Sequence, residues 1–250
     1  IETPGATVNR YCASGLETIA MATAKIRSGQ ANCIIAGGTE SMSLVPSSGW
    51  KTVPAYSIAS DEPDYYLNMG LTAEAVSKEF NVSREQQDEY SYHSHQKAIH
   101  AIQNGYFKEG ILPINVEEIY LDAKNKRQVK QYVIDTDEGP RSDTSLAALA
   151  KLKPAFAANG TVTAGNSSQM SDGAAFVIVM GEKMMKELEL KPLGRLVACA
   201  SAGVHPRIMG IGPVAAIPKA LRQADMSLNE IDLIELNEAF AAQTIAVIRE

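Results

Sequence analysis

The sequence predicts an α/β fold, because apolar runs with strand character alternate with segments of helical spacing at both ends of the chain. Near the start, residues 13–27 are predicted to form a helix that ends at Gly29, and residues 32–36 a buried strand. Near the end, residues 174–180 and 231–236 are predicted to form further buried strands. A helix followed by a buried strand favours a sheet of parallel strands.

The segment between these ends is irregular at first and helical afterwards. Residues 43–65 contain prolines, glycine and serines that interrupt any regular pattern. Helices are predicted over 72–80 and 84–104, and a capping box formed by Ser83 and Gln86 begins the second one. The middle of the chain therefore contains an insertion with helices of its own.

Two strands and a short helix are predicted later in this insertion. The strands cover 111–117 and 128–133 on either side of a charged turn, and the helix covers 146–152. A strand-like stretch at 161–163 leads into the small residues 164–168. These small residues indicate a tight turn.

The last part of the chain returns to alternating helix and strand. A helix that ends near Ala224 is predicted to start at Pro213 or at Pro218, because proline is tolerated in a first turn but not deeper. The other predicted elements here are a helix at 182–189, a strand at 195–202, a capped turn from Ser227 to Glu230 and a helix beginning near Ala239. We therefore predict two outer α/β parts, 1–41 and 171–250, separated by the insertion.

The composition favours a globular protein and argues against two classes of partner. The 250 residues are 45% hydrophobic and 21% charged, with a net charge of −6. An acidic chain without a basic run argues against nucleic-acid binding. No apolar run approaches the length of a membrane span, and the first residues lack the pattern of a secretion signal.

The cysteines and histidines do not indicate a disulfide framework or a metal site. Three cysteines are few and odd in number, which favours a reducing compartment. Cys33 and Cys199 lie in predicted buried strands and are assigned to the core. The histidines, whose spacing matches no metal-binding motif, are His93, His95, His100 and His205. The first three are predicted to lie on the surface or core edge of helix 84–104.

Cys12 lies where an extended segment meets the helix predicted at 13–27. The positive end of a helix dipole and its unpaired N–H groups stabilise a thiolate, which is the nucleophilic form of cysteine. The small residues Ala13, Ser14 and Gly15 leave room for a substrate beside the sulfur. For a lone cysteine, the alternative is a buried structural role.

Several short stretches, taken together and in their order, carry a family resemblance. They are 8–19 (VNRYCASGLETI), 36–43 (AGGTESMS), 160–168 (GTVTAGNSS) with 172–175 (DGAA), 209–213 (MGIGP) and 235–241 (ELNEAFA). Looser matches occur at 68–74 (NMGLTAE) and 137–141 (DEGPR). Over essentially its whole length, the chain resembles the thiolase family.

The resemblance implies a fold and a reaction. The fold is the thiolase-like layered α/β fold with an inserted loop domain, incomplete at both termini. Residues 1–41 are then part of the N-terminal half, residues 42–170 a coenzyme A-binding loop domain, and residues 171–250 part of the C-terminal half. The reaction is acyl exchange between 3-ketoacyl-CoA and coenzyme A through a cysteine acyl-enzyme, as in thiolytic cleavage during fatty-acid degradation. Coenzyme A is then a co-substrate, and no cofactor is permanently bound.

Two residues match the family's catalytic positions. Cys12 matches the nucleophile that carries the acyl group. Asn237 matches the asparagine that holds a water in an oxyanion hole. The alternative for Asn237 is a cap for the helix predicted to begin near Ala239. His205 is rejected as the base, because the family base lies in a Gly-His-Pro segment beyond the stretch that contains Asn237.

Five residues match positions that contact the substrate. Ser168 matches a contact to the pantetheine arm, with Ala164 and Met170 as its neighbours, although a tight turn alone explains the small residues. Arg141 matches an arginine near the adenosine end of coenzyme A, and the alternative is a solvated loop charge. Met69 matches a methionine that lines the acyl pocket, and the alternative is a core methionine.

Other readings of the function stay open. One is an acetyl-CoA C-acetyltransferase that condenses two acetyl-CoA molecules, although Asn68 stands where short-chain members often carry histidine. Another is a non-catalytic acyl-CoA or lipid carrier on the same fold. The resemblance implies a homo-oligomer, dimer or tetramer, in the cytoplasm, or in mitochondria or peroxisomes of a eukaryote. Because the family's base and second cysteine are not among these 250 residues, we expect the chain as given to be an inactive fragment.

Overall fold

The computed structural model describes residues 2–46 and 49–250, and these residues form two compact units. Unit 1 comprises Ile1–Tyr66, Met170–Val204 and Gly212–Glu235, and unit 2 comprises Leu67–Gln169, His205–Ile211 and Leu236–Glu250. Ile1, Ser47 and Ser48, which fall within the predicted segments 1–41 and 43–65, lie outside the described residues. The three-part division drawn from the sequence stays a prediction.

Unit 1 is built around helix α1 (Ser14–Arg27) and an antiparallel pair of strands, β1 (Cys33–Ser41) and β4 (Asp172–Met180). The register pairs Cys33 with Met180 and Ser41 with Asp172, and α1 packs against β1. Helix and strands are confirmed, but the predicted parallel pairing is wrong for these strands. The long connection between β1 and β4 allows either direction, so the antiparallel direction is known only from the observed register.

The β1–β4 sheet is only partly covered by the described residues. Along β1, Ala36 on the α1 side is buried, while Cys33 and Ile35 are exposed. Phe176 and Ile178 of β4 are exposed as well. The prediction of a core Cys33 is therefore wrong, because alternate residues of a strand face opposite sides of the sheet. The prediction of a buried strand at 174–180 is also wrong, since consecutive residues of β4 from Asp172 to Ile178 are exposed.

Two predicted strands of unit 1 are absent from the described residues. The segments 195–202 and 231–236 have strand-like sequences, but neither is assigned as a strand. Cys199, assigned to the core from the sequence, is exposed. A strand forms only where a partner supplies ladder hydrogen bonds, and no described strand pairs with either segment.

The remaining helices of unit 1 are α2 (Tyr56–Asp61), α6 (Glu182–Glu187) and α7 (Gly212–Ala224). Helix α2 lies within the stretch predicted to be irregular. Helix α7 begins at Gly212, which confirms the predicted start at Pro213 to within one residue, and Pro218 lies in its interior, so the alternative start at Pro218 is wrong. Pro218 leaves the carbonyl of Val214 without an i→i−4 bond. The predicted capping box from Ser227 to Glu230 is confirmed.

Unit 2 packs α3 (Met69–Glu79), α4 (Arg84–Gln103) and α8 (Ala241–Arg249). Its apolar core contains Val76, Val82 and Ala246. The capping box of Ser83 and Gln86 is confirmed at the start of α4. The two strands predicted around a charged turn are β2 (Ile114–Leu121), which starts three residues later than predicted, and β3 (Arg127–Ile134), and they pair antiparallel. Helix α5 (Leu146–Ala150) is the predicted short helix.

Candidate active site

Cys12 lies in unit 1 at the entrance to a helix. It is the middle residue of a 3₁₀ turn, Tyr11–Ala13, that runs directly into α1. Its side chain is exposed, so the alternative of a buried structural cysteine is wrong. The predicted location at a helix N-terminus is confirmed.

The turn around Cys12 is held by local hydrogen bonds. Tyr11 has a left-handed φ of 49°, a conformation that costs a bulky residue about 1–3 kcal/mol. The Tyr11 N–H donates to Asn9 Oδ1 at 2.7 Å, and Ser14 Oγ donates to the Tyr11 carbonyl at 2.7 Å. Ser14 Oγ also accepts the Arg10 N–H at 2.9 Å. These bonds fix the backbone on which the thiol is presented.

The strand pairing of unit 1 places two of the resemblance stretches together. Gly38 pairs with Ala175 and Glu40 pairs with Gly173, so the stretches 36–43 and 172–175 run side by side. The Asp172 carboxylate accepts hydrogen bonds from the backbone N–H and Oγ of Ser43. These two stretches are therefore parts of one β-ribbon.

In unit 2, the turn at 161–168 is held by the buried side chain of Asn166. Its Nδ2 donates to Asp88 Oδ1 at 2.9 Å and to the Thr161 carbonyl at 3.1 Å. Its Oδ1 accepts the Thr163 N–H at 2.7 Å. Because buried polar groups must find partners, this amide fixes both sides of the turn.

Helix α3 holds the same turn through Glu74. The Glu74 carboxylate accepts the backbone N–H groups of Thr161 and Val162, with N···O distances of 2.9–3.0 Å. Gln87 of α4 adds a hydrogen bond from its Nε2 to Thr161 Oγ1 at 2.9 Å. The segment that presents Ala164 and Ser168 therefore rests on two helices.

The structure brings the Ser168 turn and the Asn237 segment together. The Ser168 N–H donates to the Ala239 carbonyl at 2.9 Å, and the Ala241 N–H donates to the Asn166 carbonyl at 3.0 Å. Ser167 and Phe240 form an isolated β-bridge between these two bonds. Two stretches that resemble thiolases, far apart in sequence, are thus joined backbone to backbone.

Asn237 is exposed and lies in the extended segment before α8. The N-cap of α8 is Phe240, whose apolar side chain cannot accept a capping hydrogen bond. The alternative that Asn237 caps this helix is therefore wrong, and its amide is not committed to the helix.

Glu238, which the sequence analysis did not single out, is fixed on α4. Tyr90 Oη donates to Glu238 Oε1 at 2.5 Å, and Ser94 Oγ donates to Oε2 at 2.7 Å. Burial raises the pKa of Tyr90 well above its usual range, and the bonded carboxylate raises it further. Tyr90 and Ser94 are one helical turn apart, but only the fold shows that they face Glu238.

Arg141 lies in an exposed loop that attaches to α4. Its guanidinium forms a two-point pair with Asp143, at 3.2 and 3.0 Å. This pair holds the pKa of Asp143 below its usual range. The Arg141 N–H donates to His95 Nδ1 at 3.2 Å. Burial, followed by the charge of Arg141, lowers the pKa of His95, which favours the neutral ring that can accept this bond.

The other substrate-binding candidates are exposed. Met69 begins α3 with 47% of its surface exposed, so the alternative of a core methionine is wrong. Ala164 and Ser168 are exposed in the turn of unit 2. Met170 is 78% exposed and belongs to unit 1, as does Cys12. Asn237 and Arg141 belong to unit 2.

Arg141→Ala is expected to weaken coenzyme A binding about tenfold, since an arginine–phosphate pair is a charge-assisted bond. The loss should shrink with coenzyme A that lacks its 3′-phosphate, if that phosphate is the partner. Asp143→Asn should instead tighten binding, because it releases the guanidinium from a competing carboxylate. Calorimetric titration of the full-length protein measures these affinities, with Arg127→Ala in β3 as the control. An unchanged affinity for Arg141→Ala would leave Arg141 a solvated loop charge.

Across residues 2–46 and 49–250, no group of three or more His, Cys, Asp or Glu side chains is arranged to hold a metal ion. Over these same ranges, none of the helices combines the length and apolar character needed to cross a bilayer.

Comparison with known proteins gives matches over nearly the whole chain. The family model "Thiolase, N-terminal domain" matches residues 1–183, and "Thiolase, C-terminal domain" matches residues 190–250. A 3-ketoacyl-CoA thiolase of Bacillus subtilis is 50% identical over 247 residues, which cover 99% of this chain and 63% of that protein. An acetyl-CoA acetyltransferase of Pseudomonas aeruginosa is 44% identical, with 99% of this chain and 64% of that protein covered.

A solved structure gives the same result. The dimeric peroxisomal thiolase of Saccharomyces cerevisiae superposes with a TM-score of 0.85 at 36% identity, covering 97% of this chain and 60% of that one. The chain thus spans less than two thirds of the length of these relatives. The layered α/β fold implied by the sequence is confirmed.

Proposed function

This chain belongs to the thiolase family, and from that premise we propose that the full-length protein is an acyltransferase acting on 3-ketoacyl-CoA and coenzyme A. Coenzyme A serves as co-substrate, and the degradative direction is thiolytic cleavage. The observation that carries the proposal is the exposed Cys12, presented on a hydrogen-bonded turn at the start of α1.

In the proposed reaction, the Cys12 thiolate attacks the 3-keto carbon of the substrate. The bond between carbons 2 and 3 then breaks, the electron pair goes to carbon 2, and acetyl-CoA leaves after that carbon takes a proton. The acyl group stays on Cys12 as a thioester until the thiol of coenzyme A attacks it, which breaks the bond to sulfur and regenerates the Cys12 thiolate. The proton that coenzyme A loses in this step balances the proton that carbon 2 gained in the first. Each addition forms an oxyanion, for which a water held by Asn237 is the proposed donor.

Binding of coenzyme A is proposed to use the surface around the Ser168 turn. From the family resemblance, Ser168, Ala164 and Met170 are proposed to contact the pantetheine arm, and Arg141 the adenosine end. Met69 is proposed to line the acyl pocket. The contacts of Asn166 and Glu74 support this proposal, because they hold the Ser168 turn rigid before any ligand binds.

Condensation of two acetyl-CoA molecules is the second candidate. Its support is that a relative 44% identical to this chain is named acetyl-CoA acetyltransferase. Asn68, which stands where short-chain members often carry histidine, caps α3 by accepting the Leu71 N–H at 2.9 Å. Rates with acetoacetyl-CoA and with longer 3-ketoacyl-CoA substrates separate the two candidates.

Alkylation of Cys12 tests the proposed acyl-enzyme. Iodoacetamide at neutral pH should modify Cys12, and pre-incubation of the full-length protein with acyl-CoA should protect it. Because Cys33 and Cys199 are also exposed, the label is assigned by peptide mass spectrometry, with these two cysteines as internal controls. Equal labelling of Cys12 with and without acyl-CoA would favour a non-catalytic carrier.

The proposal extends to the oligomeric state and the cellular location of the full-length protein. One similar structure is described as a dimeric peroxisomal thiolase. We propose that the full-length protein is likewise a homo-oligomer, a dimer or tetramer, in the cytoplasm or, in a eukaryote, in mitochondria or peroxisomes. Sedimentation of the full-length protein measures the assembly.

A further inference from the structure

The proposed reaction leaves unused an acidic side chain beside the oxyanion asparagine. Glu238 directly follows Asn237, and both of its carboxylate oxygens are bound by α4, through Tyr90 Oη at 2.5 Å and Ser94 Oγ at 2.7 Å. Two donors on successive turns of one helix restrict a carboxylate much more than one donor does. We call these three side chains the α4 clamp.

The backbone that follows Glu238 is held as well. The Ala239 carbonyl accepts the Ser168 N–H, and the Ala241 N–H donates to the Asn166 carbonyl. The ring of Phe240 packs edge-on against Phe156, with 6.1 Å between ring centroids. Every residue from Glu238 to Ala241 thus has its own anchor, and the α4 clamp supplies the one nearest Asn237.

We propose that Glu238 is a positioning residue, through which Tyr90 and Ser94 hold the Asn237 amide where the acyl-transfer reaction needs it. This rests on the proposed function, because it takes Asn237 as the residue that supports the oxyanion. Such a donor is effective only when it is fixed before charge develops, within about 0.5 Å of the productive geometry. Asn237 is exposed in an extended segment, so its own surroundings give it little restraint.

Steady-state kinetics of the full-length protein test the α4 clamp. Glu238→Ala is expected to lower kcat about 10- to 100-fold while KM for 3-ketoacyl-CoA stays within about threefold, because the lost interaction belongs to the transition state. Tyr90→Phe and Ser94→Ala each remove one donor and should lower kcat less. Glu238→Gln should recover most of the rate, since its amide oxygen still accepts from Tyr90 and its NH₂ donates to Ser94. The matched control is Glu89→Ala, an exposed carboxylate on the same helix.

A double-mutant cycle separates positioning from an independent effect. Asn237→Ala should lower kcat about 10²- to 10³-fold, as for other oxyanion-hole groups. If Glu238 acts through Asn237, adding Glu238→Ala to that variant should change kcat less than about threefold. Multiplicative losses would overturn the positioning role while leaving Asn237 in its proposed role. A normal kcat for Asn237→Ala would instead overturn the proposed role of Asn237.

Thermal melts show whether a loss of kcat comes from unfolding of the variant. If Glu238→Ala unfolds, Tyr90→Phe and Ser94→Ala decide the question, because each leaves the carboxylate with one donor. A loss of kcat in these two variants at an unchanged melting temperature supports the proposal. A wild-type kcat in both Tyr90→Phe and Ser94→Ala, equal to that of the Glu89→Ala control, would overturn it.

Discussion

Cys12→Ala should abolish turnover of the full-length protein, with a loss in kcat of at least about 10⁴-fold, as is typical when a covalent nucleophile is removed. The fold should survive, because the sulfur is exposed and its turn is held by Asn9 and Ser14 rather than by the thiol. Thiolysis of 3-ketoacyl-CoA measures the rate. Intact-protein mass spectrometry should show an acyl adduct on the wild type and none on the variant.

Two control substitutions are provided by the chain itself. Cys33→Ala and Cys199→Ala remove two thiols that are also exposed and should leave kcat within about twofold of the wild type. An acyl adduct that persists on the Cys12→Ala protein would contradict the assignment of the nucleophile. Cys33 and Cys199 would then be the candidates for the acylated residue.

Asn166→Ala should produce the largest loss of stability that we predict. It strands the Thr163 N–H, the Thr161 carbonyl and one oxygen of Asp88, all of which contact Asn166 in a buried network. Unpaired buried polar groups cost about 1–3 kcal/mol each, so a total of about 3 kcal/mol is a conservative estimate. That corresponds to a fall of about 6–12 °C in melting temperature for a domain of this size.

Scanning calorimetry of the full-length protein measures this effect. Asn115→Ala in the exposed β2 strand is the matched control and should melt with the wild type. Asn166→Asp should be at least as harmful as Asn166→Ala, because it places a second carboxylate against Asp88. A melting temperature for Asn166→Ala within about 2 °C of the wild type would show that the network does not hold the turn.

Local elements were predictable from the sequence because their determinants are local. The capping box of Ser83 and Gln86 defines where α4 begins, and the left-handed Gly105 lies just past its end. The hairpin β2–β3 follows from two strand-like runs around a charged turn. Cys12 and Asn237 were recognised because the residues around them resemble family motifs that are themselves contiguous in the chain.

Side-chain burial and strand direction were not predictable, because each depends on what packs against an element. Cys33 and Phe176 have strand-like surroundings in the sequence, yet they lie on the sheet face that α1 does not cover. The segment 231–236 has the residues of a strand, but the structure assigns no strand there, because a strand also needs a partner. The two-residue period of a strand predicts which residues share a face of the sheet, but it does not predict which face other elements cover.

The family resemblance, the candidate nucleophile and most helix boundaries were predictable without the structure, because they depend on residues close together in the chain. The contact of Ser168 with Ala239 and the binding of Glu238 by Tyr90 and Ser94 are seen only in the folded chain. Those contacts join segments about 70 and 150 residues apart. Hydrogen bonds over such separations form only once the helices and turns have packed, so no local pattern in the sequence encodes them.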